Sequence, residues 1–71
     1  MQNQKMFEVE GRIVENLPNT TFKVQVGERT VLCHLSGKMR IHFVRLLPGD
    51  RVLVAMLTPN ETLGRILARI K

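Results

Sequence analysis

Tryptophan and tyrosine are absent from this 71-residue chain, and three phenylalanines are its only aromatic rings. Any core must therefore be built from Val, Ile, Leu and Met. Cysteine occurs once, as Cys33. An internal disulfide is excluded, which argues for a reducing compartment. No apolar run approaches the roughly 18 residues of a membrane span, so no membrane association is expected. Met1 to Lys5 is polar and no apolar segment like that of a signal peptide follows, so a cytoplasmic location is expected. The short length allows one small domain. Such a domain buries only about 60% of its unfolded surface, which leaves little room for a deep catalytic pocket.

Acidic residues are also scarce. Eleven Lys and Arg stand against six Asp and Glu, for a net charge of +5 and a pI near 10.4. A pI above about 9 in so small a domain is the electrostatic footprint of a nucleic-acid binder. The charge is also uneven. Residues 1–28 hold three cations and four acids, whereas residues 29–71 hold eight cations and two acids. A polyanionic partner is expected to meet the second part.

Phe7, Val9, Gly11 and Ile13 alternate with Glu8, Glu10, Arg12 and Val14, the period of a half-buried strand. Gly11 suggests a bulge or a sharp bend within it. Leu17-Pro18-Asn19 carries turn chemistry. A second strand follows, with Thr20, Phe22, Val24 and Val26 on one face, and Gly27-Glu28 turns the chain. Thr30 to Leu35 reads as a third strand, completing an antiparallel meander. Phe7, Phe22 and Cys33 have the inward phase and are expected in the core. Ser36 suits the cap of a short helix beginning near Gly37. Within it Ile41, Val44 and Leu47 are three apart and would share a buried face, and Lys38 and Arg45 would share another. Pro48-Gly49-Asp50 stops the segment. Val52, Val54 and Met56 mark a fourth strand and Gly64 to Ile70 a fifth.

Five strands with one helical element between the third and fourth is the order of an all-β OB-fold barrel, which usually binds oligonucleotides or oligosaccharides. The alternative is an SH3-like barrel, whose helical turn usually precedes the last strand. Residues 1–71 are thus read as a single OB-fold, S1-like RNA-binding domain.

The densest chemistry lies in Lys38, Arg40 and Arg45, three cations within eight residues. Arg offers a planar fork of donors to phosphate oxygens and Lys a mobile point charge. Gly37 lets a backbone approach, and Asp50 is the one acid between Gly37 and Val54. Arg65 and Arg69 would share a strand face about 13 Å apart at 3.3 Å per residue. Phe43, between Arg40 and Arg45, could carry a stacked base or anchor the core. His34 beside Ser36 could hydrogen-bond RNA. Neither His34 nor His42 belongs to a set with metal-ligand spacing, and no motif of a nucleotide hydrolase, serine hydrolase or zinc protease occurs. An enzyme is not expected.

The run His34-x-Ser36-Gly37-Lys38-x-Arg40, then Phe43, then Arg45-x-Leu-x-Gly49-Asp50-x-Val52, resembles the bacterial and organellar translation initiation factor one family. The likeness spans about residues 6 to 70 and includes Gly11 to Val24, Leu57-Thr58 and Gly64-Arg65-Ile66. It implies an OB-fold protein with no cofactor and no catalysis, acting as a monomer. Its implied partners are 16S-type rRNA and proteins of the small ribosomal subunit, together with initiation factors two and three. It would occupy the decoding (A) site and block premature tRNA access. By matched positions the rRNA-facing residues would be Lys38, Arg40, Phe43, Arg45, Arg65 and Arg69, joined by His34, Ser36, Gly37 and Lys23.

Three positions depart from the family pattern. Pro59-Asn60 stands where Tyr-Asp is usual, Leu63 where a basic residue precedes Gly64, and Ala68 where an aromatic is common. These imply altered contacts in the loop before the last strand, and either a less tightly packed barrel or a divergent lineage. Rival readings are a cold-shock-like single-stranded RNA binder or RNA chaperone, which needs several exposed aromatics, and a protein-interaction module.

Overall fold

The computed structural model describes residues 6–42 and 45–70, with the side chains of Lys38 and His42 outside that description. The chain runs β1 (Phe7–Leu17), β2 (Thr21–Val26), β3 (Arg29–Leu35), α1 (Gly37–His42), β4 (Arg51–Met56) and β5 (Leu63–Ile70). The strands close into a barrel in the order β1-β2-β3-β5-β4. Every neighbouring pair is antiparallel except β3 and β5, which run parallel. This is the OB-fold arrangement expected from the element order. The helix between β3 and β4 removes the SH3-like alternative.

Closure depends on β1, which is long enough to serve two neighbours. Its residues 7–12 pair with β4 and its residues 12–17 with β2. Gly11 sits where the strand passes between them. A Cβ there would lie 2.5 Å from Val24 Cγ1 and 3.0 Å from the Gln25 carbonyl oxygen. The bulge falls instead at Val14, between Ile13 opposite Val24 and Glu15 opposite Lys23.

The core is aliphatic. Val24, Val31, Val52, Val54 and Ile66 are wholly buried, and Ile13 and Cys33 nearly so. Each such Val or Ile contributes about 1.5–3 kcal/mol by leaving water. Burial pushes the Cys33 thiol up to about 11, so it stays protonated and acts as a small apolar filler. Phe22 is buried as expected. Phe7 is not: it is 48% exposed. Its phase is inward, opposite Met56, but it is the first residue of its strand.

Two expectations about periodicity fail because the elements are shorter or less regular than their sequence patterns. The helix ends at His42, after six residues. Ile41 is therefore 80% exposed and Leu47 49% exposed, while Met39 and Leu46 fill the core. Arg45 lies beyond the helix, so Lys38 and Arg45 share no helical face; Val44 is outside the described residues. In β5 a register shift pairs Leu53 with Ala68 but Val54 with Ile66, leaving Leu67 as an extra residue. The bulge reverses the phase beyond it, because paired side chains share a face and the face alternates along each strand. Arg65 stands opposite Ala55 and Arg69 opposite Val52, so the two arginines face opposite sides of the sheet. Ala68 pairs with Leu53 on the outer side, so its small size opens no hole in the core.

Candidate rRNA interface on the α1–β5 face

The pairing registers line up a row of outward side chains across the barrel. Thr21 of β2 faces His34 of β3, which faces Arg65 of β5. Beside it runs Lys23, then Leu32, then Leu63. His34, Arg65, Leu32, Leu63 and Lys23 are all exposed. The Lys23 ammonium lies 3.4 Å from Glu15 Oε1 across the β1 bulge. Exposed pairs of this kind are worth about 0–1 kcal/mol, so a phosphate could replace the carboxylate at little cost.

Ser36 joins this row to the helix. Its N–H donates to the Ile66 carbonyl at 3.0 Å, its own carbonyl accepts from Arg40 N–H at 3.0 Å, and its Oγ accepts from Met39 N–H at 3.2 Å. Ser36 is only 8% exposed. Its observed work is to cap α1 and fasten it to β5 one residue from Arg65, which brings Gly37 and Arg40 to that edge of the barrel. Ser36→Ala should cost about 1 kcal/mol, lowering the melting temperature by about 4–8 °C in a domain of this size. A thermal melt followed by circular dichroism checks this, and an unchanged midpoint would remove the cap's role.

After the helix, residues 45–50 are held against β1. The Asn16 side-chain N–H donates to the Leu46 carbonyl at 3.2 Å, Gly49 N–H to the Ile13 carbonyl at 2.7 Å, and Ile13 N–H to the Asp50 carbonyl at 2.9 Å. Asp50 Oδ2 accepts from Leu47 N–H at 2.9 Å. That carboxylate is thus engaged within its own turn, where Gly49 takes a φ of +99°. Arg45 is exposed at the head of this anchored loop. Among the described residues the ion pairs are Lys23–Glu15 and Arg51–Glu10, so Arg40, Arg45, Arg65 and Arg69 have no carboxylate partner there.

The structure thus brings Lys23, His34, Ser36, Gly37, Arg40 and Arg65 to neighbouring elements. It sets Arg69 on the other face of the β5 bulge. The roles assigned to Phe43 and to the Lys38 side chain lie outside the described residues. Among the described residues no three His, Cys, Asp or Glu gather to hold a metal, and no helix is long and apolar enough to cross a membrane.

Three features escaped the sequence reading. Arg29, at the start of β3, donates through Nη1 to the Pro59 carbonyl and through Nη2 to the Glu61 carbonyl. It thereby fastens the loop that holds Pro59 and Glu61. A long-range donor of this kind leaves no periodic signal. Next to that loop, Met6, Leu57 and Leu63 line a shallow groove of about 200 Å³ that also touches His34 and Arg65. Leu63, 58% exposed, was visible as a departure but not as part of a surface. Third, Asn19 and Thr20 at the β1–β2 turn have φ of 63° and 53°. The Pro-Asn pair signalled a turn, but not a left-handed conformation at a β-branched residue, which is rare.

A family model described as translation initiation factor 1A / IF-1 matches residues 1–71, the whole chain. The chain belongs to this family. Among solved structures it is similar to translation initiation factor one from the Wolbachia endosymbiont strain TRS of Brugia malayi. That match has 39% identity and a TM-score of 0.76, covering 99% of this chain and 85% of the other. It is also similar to part of YjeQ from Thermotoga maritima, with 31% identity and a TM-score of 0.71 over 92% of this chain. There it spans only 23% of the longer protein. The family's barrel, with its short helix between β3 and β4, is the fold described above.

Proposed function

We propose that this initiation-factor-family protein binds the decoding (A) site of the small ribosomal subunit through rRNA. Bound there, it blocks premature tRNA access and supports initiation factors two and three. It acts as a cytoplasmic monomer, without a cofactor and without catalysis. The observation that carries this reading is the α1–β5 edge, where Arg40 and Arg65, exposed and without carboxylate partners among the described residues, sit on backbone fastened through Ser36. Arg40 and Arg45 supply forked donors to phosphate oxygens and Arg65 a third, while His34 and Lys23 extend the row. Gly37 admits close approach of a ribose-phosphate chain. The shallow groove beside His34 and Arg65, with Met6, Leu57 and Leu63 in its wall, offers apolar contact to the flat side of a base. Ser36 contributes by holding the helix in position, Arg69 by contact from the other side of β5, and Lys38 and Phe43 by charge and by stacking.

Co-sedimentation with isolated ribosomal subunits tests this directly. Selective pelleting with small subunits is expected. Equal pelleting with large subunits, or tighter binding to free poly(U), would replace it with the cold-shock-like reading of a generic single-strand binder.

A further inference from the structure

The seam between β1 and β4 holds a second cationic feature that the interface above does not use. Arg12 of β1 stands directly opposite Arg51 of β4, and Gln25 of β2 flanks Arg12 on its other side. Side chains opposed in this way have Cβ atoms about 4.5–5.5 Å apart, and like charges at that distance repel. With Glu10, Gly11 and Gly27 they line a shallow cleft of about 240 Å³. One carboxylate lies within it: Glu10 Oε2 accepts from Arg51 Nη1 at 3.1 Å, with both side chains about half exposed. Among the described residues that line the cleft, two guanidinium groups stand against one carboxylate. Gly11 and Gly27 contribute no side chain to obstruct it.

The loop that carries Arg45 is fastened to the same strand, β1, beside this seam. Gly49 and Asp50 pair with Ile13, the residue after Arg12, and Asp50 leads directly into Arg51. We propose that Arg12 and Arg51 together grip a further phosphodiester group of the same RNA, so that the domain holds the backbone at two separate points. This rests on the rRNA reading above. Two planar forks side by side match the oxygens of one phosphate better than a single lysine does. Glu10 is the internal competitor: it neutralises Arg51 in the free protein and is displaced when phosphate arrives.

The test is binding to isolated small subunits across a salt series, with Arg12→Gln, Arg51→Gln, their double variant, Glu10→Gln and Arg45→Ala, each checked for an unchanged melting temperature. The double variant is expected to bind roughly tenfold more weakly. The slope of log K against log salt should become shallower by about 0.7–0.9, the share of the one phosphate that the pair holds. Glu10→Gln should tighten binding. Unchanged affinity and slope in the double variant, with Arg45→Ala still weakening binding, overturns the second contact and leaves only an intramolecular ion-pair cluster. If Arg45→Ala is silent too, the rRNA reading itself falls. Weaker binding with an unchanged slope also overturns the proposal, since the cleft would then meet protein rather than phosphate. Should the double variant melt early, Arg12→Gln alone, which leaves the Arg51–Glu10 pair intact, decides by the same criteria with a smaller slope change.

Discussion

Gly11→Ala should destabilise the domain by about 3 kcal/mol, the upper part of the range for overpacking a filled site. The added Cβ would meet Val24 Cγ1 at 2.5 Å, the Gln25 carbonyl oxygen at 3.0 Å and Val26 Cγ2 at 3.1 Å. Val24 is wholly buried and cannot swing away, and the Gln25 oxygen belongs to the β1–β2 ladder. Relief must come from moving β1 away from β2, at the point where β1 changes partners to close the barrel. A 71-residue domain has about 4–11 kcal/mol of stability in total, at 0.05–0.15 per residue. A loss of this size should lower the melting temperature by about 12–24 °C, at 4–8 °C per kcal/mol. Gly37→Ala is the control: a methyl group there would meet nothing within 4 Å, so its melting temperature should stay within a few degrees. A melt of Gly11→Ala that matches the parent would mean that β1 can yield there, and the closure argument would fail.

The contrast between these glycines shows what a sequence discloses. Alternation identified the strands, because a barrel wall with one buried face needs period two. Gly11 was legible as a special place in β1, but its cause was not: the neighbour that forbids a side chain is Val24, thirteen positions away. The bulges at Val14 and Leu67 were invisible for a related reason. A bulge is a relation between two strands, and one strand read alone continues to alternate through it. Arg65 and Arg69 were therefore assigned a common face that the Leu67 bulge divides.

The helix misled in another way. Ile41, Val44 and Leu47 have helical spacing, yet α1 stops at His42. Beyond it the backbone follows hydrogen bonds to Asn16 and Ile13 on a different strand. A helix of this length is too short for its own periodicity to choose its buried face. Tertiary anchors at Ser36 and Leu46 choose it. The cationic residues themselves were legible because charge without nearby counter-charge shows in the sequence. How Ser36 fastens α1 to β5, beside Arg65, was not.

Removing two forks from the interface should separate binding from folding. Arg40→Ala with Arg45→Ala is expected to weaken small-subunit binding by a factor of about 100. Each charge-assisted contact is worth about 1.5–3 kcal/mol, and each single substitution should cost at least about tenfold. The melting temperature should hardly move. Both residues are exposed, neither has a carboxylate partner among the described residues, and such surface changes stay within about 0.5 kcal/mol. Salt supplies the second axis. If roughly four to six cations contact phosphate, log K should fall against log salt with a slope of about −3 to −5, and the double variant should be shallower by about 1.4–1.8. Phe43→Ala should behave differently, losing about 1–3 kcal/mol of affinity if it stacks on a base while leaving the slope unchanged, because stacking releases no counterions. A parent slope near zero would show that the basic edge is not the binding surface. A double variant that melts early yet binds normally would make Arg40 and Arg45 structural residues. A Phe43→Ala protein that unfolds would assign that ring to the core.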